Sequence, residues 1–282
     1  MRLFKDILSL QHCLQKFREK KYSIGLVPTM GALHAGHLSL IQQCKEQCDI
    51  TVCSIFVNPV QFNDPKDFEK YPFTIESDIL LLEGNKTDVL FLPSVEEIYP
   101  NGLETLQHYQ LGYLENILEG YYRPGHFQGV CNAVHCLLDI IQPDTIFLGQ
   151  KDYQQCLILK KMMLDLFPHI HLTIGNTVRE ANGLAMSSRN MRLSEESRAR
   201  AAAIFDALQF IRQNISYEEI EELKQAAVKK IMEKGFSKVD YVEIADAETL
   251  LPVSHHEENK KLIALAAAFI DGVRLIDNVL IG

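Results

Sequence analysis

The sequence has little positive charge. Its 282 residues include 28 lysines and arginines against 37 aspartates and glutamates, which gives a formal net charge of −9. Broad nucleic-acid binding needs a basic surface that displaces counterions, so we expect no nucleic-acid partner. Hydrophobic residues make up 47% of the chain, which excludes wholesale disorder. The length suits one large domain or two modest domains with buried cores, and we expect two.

Long apolar runs and paired cysteine motifs are also missing. No apolar stretch is long enough to span a bilayer, and the N-terminus lacks a signal-peptide pattern. The seven cysteines are scattered, odd in number and without a Cys-x-x-Cys pair, which is typical of reduced thiols in a cytosolic protein. We therefore expect a cytoplasmic protein with no membrane partner.

Residues 1–176 show the pattern of a parallel sheet wrapped by helices. Short apolar runs alternate there with longer amphipathic stretches. The predicted strands are 24–27, 50–57, 89–92, 145–148 and 171–174. The predicted helices lie at about 37–48, 65–83, 128–142 and 152–166. We therefore expect an α/β domain with a Rossmann-like, doubly wound parallel sheet.

Residues 177–282 have a different character. An Ala-rich helix at 195–213 and a charged helix at 217–235 precede two or three strands. The candidate strands are 239–244, 262–269 and 273–279. Helices followed by strands without long crossovers predict a smaller C-terminal α+β domain.

Two histidines follow directly on the first predicted strand. His34 and His37 lie in Pro28-Thr-Met-Gly-Ala-Leu-His-Ala-Gly-His-Leu-Ser-Leu-Ile41, which has the order of strand, glycine turn and helix start. Unpaired N–H groups and a partial positive charge make a helix N-terminus a good site for phosphate. Such a pair also occurs for packing or capping reasons, and no carboxylate lies between the histidines as in the zinc-protease motif. With its neighbours, the pair indicates a nucleotide ligand.

Two amide side chains follow the second predicted strand. Asn58 and Gln61 offer uncharged donors and acceptors just beyond the strand end. Amides can bind hydroxyls and a carboxylate without neutralising the carboxylate, which matters if that group must react as a nucleophile. By itself, Asn58-Pro59 also fits a simple turn.

Two further clusters combine charged and hydroxyl side chains. Lys151 and Asp152 follow a glycine turn after the fourth strand, where they are either exposed or held in a polar site. A lysine at a helix start opposes the helix dipole unless an anion is present. Ser187-Ser188-Arg189, at the domain junction, suits a mobile loop that closes on a polyphosphate. With the histidines, the chain has three clusters of candidate phosphate ligands.

Together these motifs resemble the pantoate–β-alanine ligase family, within the His-x-Gly-His nucleotidyltransferase superfamily. The resemblance covers nearly the whole chain and includes Arg123-Pro-Gly-His-Phe-Gln-Gly-Val130, Gln142-Pro-Asp144 and Gly272-Val-Arg-Leu-Ile-Asp-Asn278. It implies that ATP and pantoate form pantoyl adenylate and pyrophosphate, and that β-alanine then attacks the adenylate to give pantothenate and AMP. It also implies Mg²⁺ with the ATP, a homodimer, and a C-terminal domain that acts as a lid.

The resemblance further implies roles for individual residues. Those implied to bind ATP are Met30, His34, His37, Gly149, Lys151, Asp152, Met186, Ser187, Ser188 and Arg189. Those implied to take part in catalysis are His34, His37, Lys151 and Arg189. Pantoate would be held by Gln61, Gln155 and Asn58, and Asp78 would be the magnesium partner.

Two other functions fit parts of the pattern. A nucleotidyltransferase that moves AMP to a phosphorylated acceptor would need a basic pocket where this chain has Gln61 and Gln155. A nucleotide-binding module without turnover would not need the intact histidine pair together with Lys151 and Arg189. We therefore expect an ATP-dependent ligase that acts through an acyl adenylate.

Overall fold

Two units make up the chain in this computed structural model, which describes residues 1–63, 65–256 and 259–282. The first unit consists of Met1–Gly149 and Gln155–Asn176. The second consists of Gln150–Gln154 and Thr177–Gly282. The predicted domains, 1–176 and 177–282, differ from these units in the placement of Gln150–Gln154.

The first unit is built on a sheet of six strands. They are β1 Arg2–Phe4, β2 Ile24–Thr29, β3 Ile50–Ile55, β4 Val89–Phe91, β5 Thr145–Gly149 and β6 His171–Gly175. The strands pair in parallel in the order β1-β4-β3-β2-β5-β6. The chain runs outward from β2 to β3 and β4 and then crosses to β5 on the other side of β2. The predicted doubly wound sheet is confirmed, and its switch point lies between β2 and β5.

Helices connect these strands. They are α1 Ile7–Glu19, α2 Ala35–Gln47, α3 Pro65–Glu69, α4 Ile75–Gly84, α5 Val95–Ile98, α6 Leu118–Tyr122, α7 His126–Ile141 and α8 Tyr153–Leu166. Short 3-10 turns occur at Pro59–Gln61, Leu103–Thr105 and Gly112–Glu115. Among the described helices, none is long and apolar enough to cross a membrane.

The core of the first unit lies against the central strands. All residues of β3 are buried, because a parallel strand covered on both faces has no solvent side. Val27 and Phe147, from the neighbouring strands, pack with Leu40 and Ile41 of α2 in one buried cluster. This packing fixes the start of α2 beside the end of β2.

The second unit is a small α+β structure, as predicted. Its antiparallel strands are β7 Lys238–Asp246, β8 Leu262–Ile270 and β9 Val273–Ile281, in the order β7-β8-β9. Its helices are α9 Glu195–Ala201, α10 Ala203–Asn214 and α11 Ile220–Glu233. Ala264 and Ala266 of β8 share a buried cluster with Ala207 and Leu223 of the helices, since small side chains let a helix approach the sheet. The unit also contains 3-10 turns at Gln150–Asp152 and Ser188–Arg192.

Several predicted boundaries were wrong. The helix predicted over 65–83 is divided into α3 and α4, and the segment between them contains Pro72, which disfavours helix at the preceding residue. The helix predicted over 195–213 is divided at Ala202, although φ −58° and ψ −19° keep that residue near helical geometry. β1 and α1 were not predicted from the sequence. β1 is short and largely exposed and offers no apolar run.

Candidate active site

A turn with left-handed backbone leads from β2 into α2. Gly31 has φ +81° and Ala32 has φ +49°. Left-handed geometry costs an L-residue other than glycine roughly 1–2 kcal/mol, so the alanine needs support from its surroundings. A Cβ atom at Gly31 would lie 3.1 Å from Asp78 Oδ2, which also favours glycine there. The turn therefore has a specific backbone conformation that its surroundings must stabilise.

The Asp78 carboxylate supplies that support. Its Oδ2 accepts the Ala32 N–H at 2.9 Å, and its Oδ1 accepts the Leu33 N–H at 2.8 Å. The Thr74 hydroxyl lies 3.2 Å from both oxygens. Asp78 is 1% exposed, so these contacts replace water around a buried charge. The contacts indicate that Asp78 holds the turn between β2 and α2.

His34 and His37 form a capping box at the start of α2. His34 is the N-cap residue, with extended backbone, and its Nδ1 accepts the Gly36 N–H at 3.2 Å. His37 Nδ1 accepts the His34 N–H at 3.4 Å. The ring centroids are 4.0 Å apart. Because each Nδ1 accepts, the proton of each neutral ring lies on Nε2, where it is a donor suited to a phosphate oxygen. The helix predicted from about residue 37 begins at Ala35, directly after His34.

Asn58 is the centre of a buried hydrogen-bond cluster after β3. Its Oδ1 accepts from the Val60 N–H at 3.3 Å and from the Tyr99 hydroxyl at 3.0 Å. Its Nδ2 donates to the Gly129 carbonyl at 2.9 Å and to Gln61 Oε1 at 3.2 Å. Burial raises the pKa of the Tyr99 hydroxyl, which keeps it protonated and able to donate. The contacts fix which end of each amide faces its neighbour.

Gln61 is held through its backbone as well as its side chain. Its carbonyl oxygen lies 2.7 Å from His126 Nδ1, and Arg123 Nη1 lies 3.0 Å from His126 Nε2. A carbonyl can only accept, so the histidine proton is on Nδ1, and Nε2 accepts from the arginine. The Gln61 Nε2 contacts Met30 Sδ. The structure therefore brings together the predicted residues Met30, Asn58 and Gln61.

Gly129 lets α7 approach the turn that carries Gln61. A Cβ atom there would lie 2.5 Å from the Val60 oxygen and 2.7 Å from Gln61 Cα. Real Cβ atoms do not approach backbone so closely, so a side chain would push the helix and the turn apart. Gly129 and His126 belong to the 123–130 motif but had no predicted role, and Tyr99 was not predicted as a site residue. Nothing in the sequence around Tyr99 indicates that its hydroxyl will donate to Asn58, which lies 41 residues earlier in the chain.

Gly149 is the last residue of β5, and Gln155 follows in α8. The Gly149 carbonyl accepts from Cys156 Sγ at 3.4 Å, and Gln155 is half-buried in the first turn of α8. Since β2 lies between β3 and β5, the segments that follow these three strands share one edge of the sheet. Gln61 and Gln155 thus follow the two strands on either side of β2.

In the second unit, Lys151 and Asp152 belong to one short 3-10 turn. Lys151 Nζ lies 3.6 Å from Asp152 Oδ1, and the lysine side chain is 17% exposed against 47% for the aspartate. The Ser187 side chain begins the 3-10 turn at Ser188–Arg192 by accepting the Arg189 N–H at 3.3 Å. Ser188 is buried, whereas Met186, Ser187 and Arg189 are half-buried. Both turns pack against β9.

The described residues do not fit a magnesium site built from protein ligands. Among them, no group of three or more histidines, cysteines, aspartates or glutamates could hold a metal ion. The two oxygens of Asp78 already accept from Ala32, Leu33 and Thr74. The geometry therefore favours a structural role for Asp78 over the predicted magnesium role.

The fold and the site together define a class of protein. A doubly wound parallel sheet, with a helix N-terminus and clustered polar side chains beyond its central strands, is characteristic of a nucleotide-binding α/β protein. The paired amides add a site for a small polar molecule.

Comparison with known proteins specifies the class further. The pantoate-β-alanine ligase family model matches residues 2–280. A pantothenate synthetase from Cytophaga hutchinsonii is 42% identical over 278 residues, which cover 98% of each chain. The crystal structure of pantothenate synthetase from Thermus thermophilus gives a TM-score of 0.91 at 37% identity, with 99% of each chain covered.

A second crystal structure carries small molecules. It is a pantoate-β-alanine ligase from Francisella tularensis complexed with β-γ ATP and β-alanine, with a TM-score of 0.83 and 37% identity, covering 99% of this chain and 97% of that chain. The chain described here belongs to the pantoate–β-alanine ligase family.

Proposed function

We propose that the protein condenses pantoate with β-alanine in pantothenate biosynthesis, using ATP and forming pantoyl adenylate as the intermediate. The main support is the Asn58–Gln61 cluster, in which hydrogen bonds orient two uncharged amides directly beyond β3. Membership of the ligase family and the ATP and β-alanine bound by the Francisella tularensis relative support the same reaction.

The amide cluster would hold pantoate. Gln61 and Gln155 would supply hydrogen bonds for its hydroxyls and carboxylate without a formal positive charge. Asn58 would act beside them by holding Gln61 in place, because its own Oδ1 and Nδ2 each already have two partners. A carboxylate paired with a cation is a weaker nucleophile, so neutral partners suit an acid that must attack phosphorus. The positioned hydrogen bonds that fix Asn58 and Gln61 also support orientation of the bound acid.

The cationic and N–H donors would hold the nucleotide. The N-terminus of α2 and the Nε2–H groups of His34 and His37 suit phosphate oxygens. Lys151 and Arg189, with the hydroxyls of Ser187 and Ser188, would stabilise charge on the departing pyrophosphate. Residues proposed to line the rest of the nucleotide site are Met30, Gly149, Asp152 and Met186.

The reaction needs no side-chain nucleophile. A pantoate carboxylate oxygen attacks the α-phosphorus, and the bond to the bridging oxygen breaks so that pyrophosphate leaves with the electron pair. The β-alanine amine then attacks the acyl carbon, and AMP leaves with the carboxylate-derived oxygen as the amine loses a proton. Orientation of such reactants can supply on the order of 7–11 kcal/mol.

Magnesium would enter with ATP. Mg²⁺ in nucleotide enzymes is commonly bound by substrate phosphates and water, with only one or two protein carboxylates, and it neutralises phosphate charge. This arrangement agrees with the lack of a metal-ligand cluster among the residues that the structure describes.

Three further parts of the proposal concern the chain as a whole. We propose a homodimer, for which light scattering is the test, and exposed apolar side chains of the first unit such as Phe73 and Leu80 suit an interface. We propose a cytoplasmic location, because all seven cysteines are free thiols. The lid role of residues 177–282 stays a prediction.

Isotope transfer tests the adenylate. Pantoate labelled with ¹⁸O in its carboxylate is converted with ATP and β-alanine, and the products are analysed by mass spectrometry. An adenylate intermediate places one ¹⁸O in AMP. Label in orthophosphate would indicate an acyl phosphate instead, and label retained entirely in pantothenate or pantoate would contradict both routes.

A further inference from the structure

The last strand carries two buried polar side chains that the proposed function does not use. Asp277 and Asn278 are adjacent on β9 and are 5% and 2% exposed. Buried polar groups are costly unless they are hydrogen-bonded, so their partners reveal what they do. They end the Gly272–Asn278 motif, which had no role predicted from the sequence.

The Asn278 side chain is committed to the turn that carries Lys151. Its Nδ2 donates to the Gln150 carbonyl at 3.0 Å and to the Lys151 carbonyl at 3.0 Å. Its Oδ1 accepts from Gln150 Nε2 at 3.1 Å. One amide therefore donates hydrogen bonds to two consecutive backbone carbonyls. These bonds fix the backbone at Lys151 and so the direction in which its side chain starts.

The Asp277 side chain is committed to Arg179. Its two oxygens accept from Arg179 Nη1 at 2.6 Å and Nη2 at 3.0 Å. The same guanidinium donates to the carbonyls of Gly183 at 3.1 Å and Asn278 at 3.3 Å, and it lies 3.8 Å from the Phe205 ring centroid. Burial raises the pKa of the Asp277 carboxyl, while hydrogen bonding and charge from Arg179 and the charge of Lys151 act in the opposite direction.

Arg179 lies in a hairpin that leads to the candidate phosphate ligands Ser187, Ser188 and Arg189. Arg179 pairs with Ala185 across the hairpin, and the Met186 N–H donates to the Val178 carbonyl at 2.9 Å. Ser187 follows immediately and caps the turn that contains Arg189. The Asp277–Arg179 pair therefore anchors the base of the segment that presents Ser187 and Arg189.

We propose that Asp277 and Asn278 are positioning residues for adenylate formation, which hold the Lys151 turn and the Arg179 hairpin at a fixed spacing on β9. Neighbouring residues of one strand have a fixed separation, so the two groups of phosphate ligands are set by the same rigid element. The inference rests on the proposed function, because it assigns Lys151 and Arg189 to the triphosphate.

A double-mutant cycle tests the part played by Asn278. Asn278→Leu retains bulk but removes both donors and the acceptor, and we expect kcat/KM for ATP in pantoate-dependent pyrophosphate exchange to fall about tenfold. The KM for pantoate changes by less than about twofold. In a Lys151→Ala background, Asn278→Leu changes kcat/KM for ATP by less than about twofold, because residues acting through one group are not additive.

A second cycle tests Asp277 in the same way. Arg179→Lys retains the charge but loses the two-point contact with Asp277, and we expect about a fivefold fall in kcat/KM for ATP. In an Arg189→Ala background the fall is smaller. Equal falls in the two backgrounds would overturn the assignment of Asp277.

Two controls separate positioning from loss of stability. Asp240 Oδ2 accepts from Arg274 Nε of β9 at 2.8 Å, which makes a second buried ion pair on this strand. Asp240→Asn weakens that pair, and we expect the variant to have a lower Tm but an unchanged KM for ATP. Gln150→Met removes one contact of Asn278 at a half-buried position and serves if Asn278→Leu does not fold. It produces a smaller change of the same kind.

The outcomes are distinguishable. Additive effects of Asn278→Leu and Lys151→Ala, or a loss that follows Tm as in Asp240→Asn, would overturn the positioning role while leaving the proposed function intact. Normal exchange in Lys151→Ala alone would remove Lys151 from the proposed function, and the role of Asn278 would be lost with it.

Discussion

In the first unit, the side chains beyond β3 are held by neutral hydrogen bonds: Asn58 contacts Tyr99, Gly129 and Gln61, and none of these groups carries a charge. In the second unit, an ion pair contributes as well: Asp277 binds Arg179 through two oxygens, while the neutral Asn278 amide holds the turn that carries Lys151. The amide cluster therefore offers direction without charge, whereas the surroundings of β9 position cations.

This difference suits the two requirements of the proposed adenylation, which are an oriented nucleophile and a stabilised leaving group. The attacking carboxylate has to be oriented and left reactive, which neutral amides achieve. The departing pyrophosphate accumulates negative charge, which cations stabilise. If the two clusters have these separate roles, substitutions in each should change different kinetic parameters.

Removing the Lys151 cation of the second unit should reduce activity most. Lys151→Ala should lower the rate of adenylate formation about a hundredfold, as is typical when one charge-stabilising group is lost. The KM for pantoate should change little. Lys160→Ala, on the exposed side of α8, is the matched control and should retain the normal rate. A normal rate in Lys151→Ala would remove Lys151 from the catalytic residues.

Gly129→Ala should damage the amide cluster. The new Cβ atom would lie 2.5 Å from the Val60 oxygen, so the turn that holds Gln61 must move. We expect the KM for pantoate to rise about thirtyfold and stability to fall by about 1–3 kcal/mol. Gly84→Ala is the control, since a Cβ atom there meets nothing within 4 Å. Equal KM values for pantoate in the two variants would mean that the position of the turn is unimportant.

Asp78→Asn separates a structural role from a metal role. An amide NH₂ cannot accept, so the Ala32 or Leu33 N–H loses its partner and the turn before His34 loosens. We expect about a tenfold fall in kcat/KM for ATP. Raising the Mg²⁺ concentration should not restore activity. Recovery at high Mg²⁺ would favour the metal role instead.

Removing the Tyr99 hydroxyl from the amide cluster should have only a small effect on pantoate binding. Tyr99→Phe removes the donor to Asn58 Oδ1 but leaves the Val60 contact. Stability should fall by about 1 kcal/mol, and the KM for pantoate should rise about threefold while that for ATP is unchanged. Tyr217→Phe, at a side chain that is 85% exposed, should change neither parameter.

The central strands were predictable because their burial is recorded in the sequence. Parallel strands covered on both faces are continuously apolar, and glycines or polar residues follow where they end. The C-terminal strands were found for similar reasons, although β7 and β9 each extend beyond the predicted limits. The edge strand β1 pairs with β4 and is mostly exposed, so it left no such pattern.

The site was predictable only in part. His34, Gln61 and Lys151 belong to local motifs that follow strands, so residue type and spacing pointed to them. The partners of those residues come from distant parts of the chain: Asn278 reaches the Lys151 carbonyl across a separation of 127 residues. Periodicity and short motifs record neighbours within an element, and they carry no information on such pairings.

The most direct test is pyrophosphate–ATP exchange with Mg²⁺ and without β-alanine, measured as a function of pantoate concentration in the unmodified protein, Gln61→Leu and Lys151→Ala. We expect exchange that requires pantoate. Gln61→Leu should raise the pantoate concentration for half-maximal exchange, and Lys151→Ala should lower the maximal rate. Exchange without pantoate, or the same parameter changed by both substitutions, would contradict the division of labour between the two clusters.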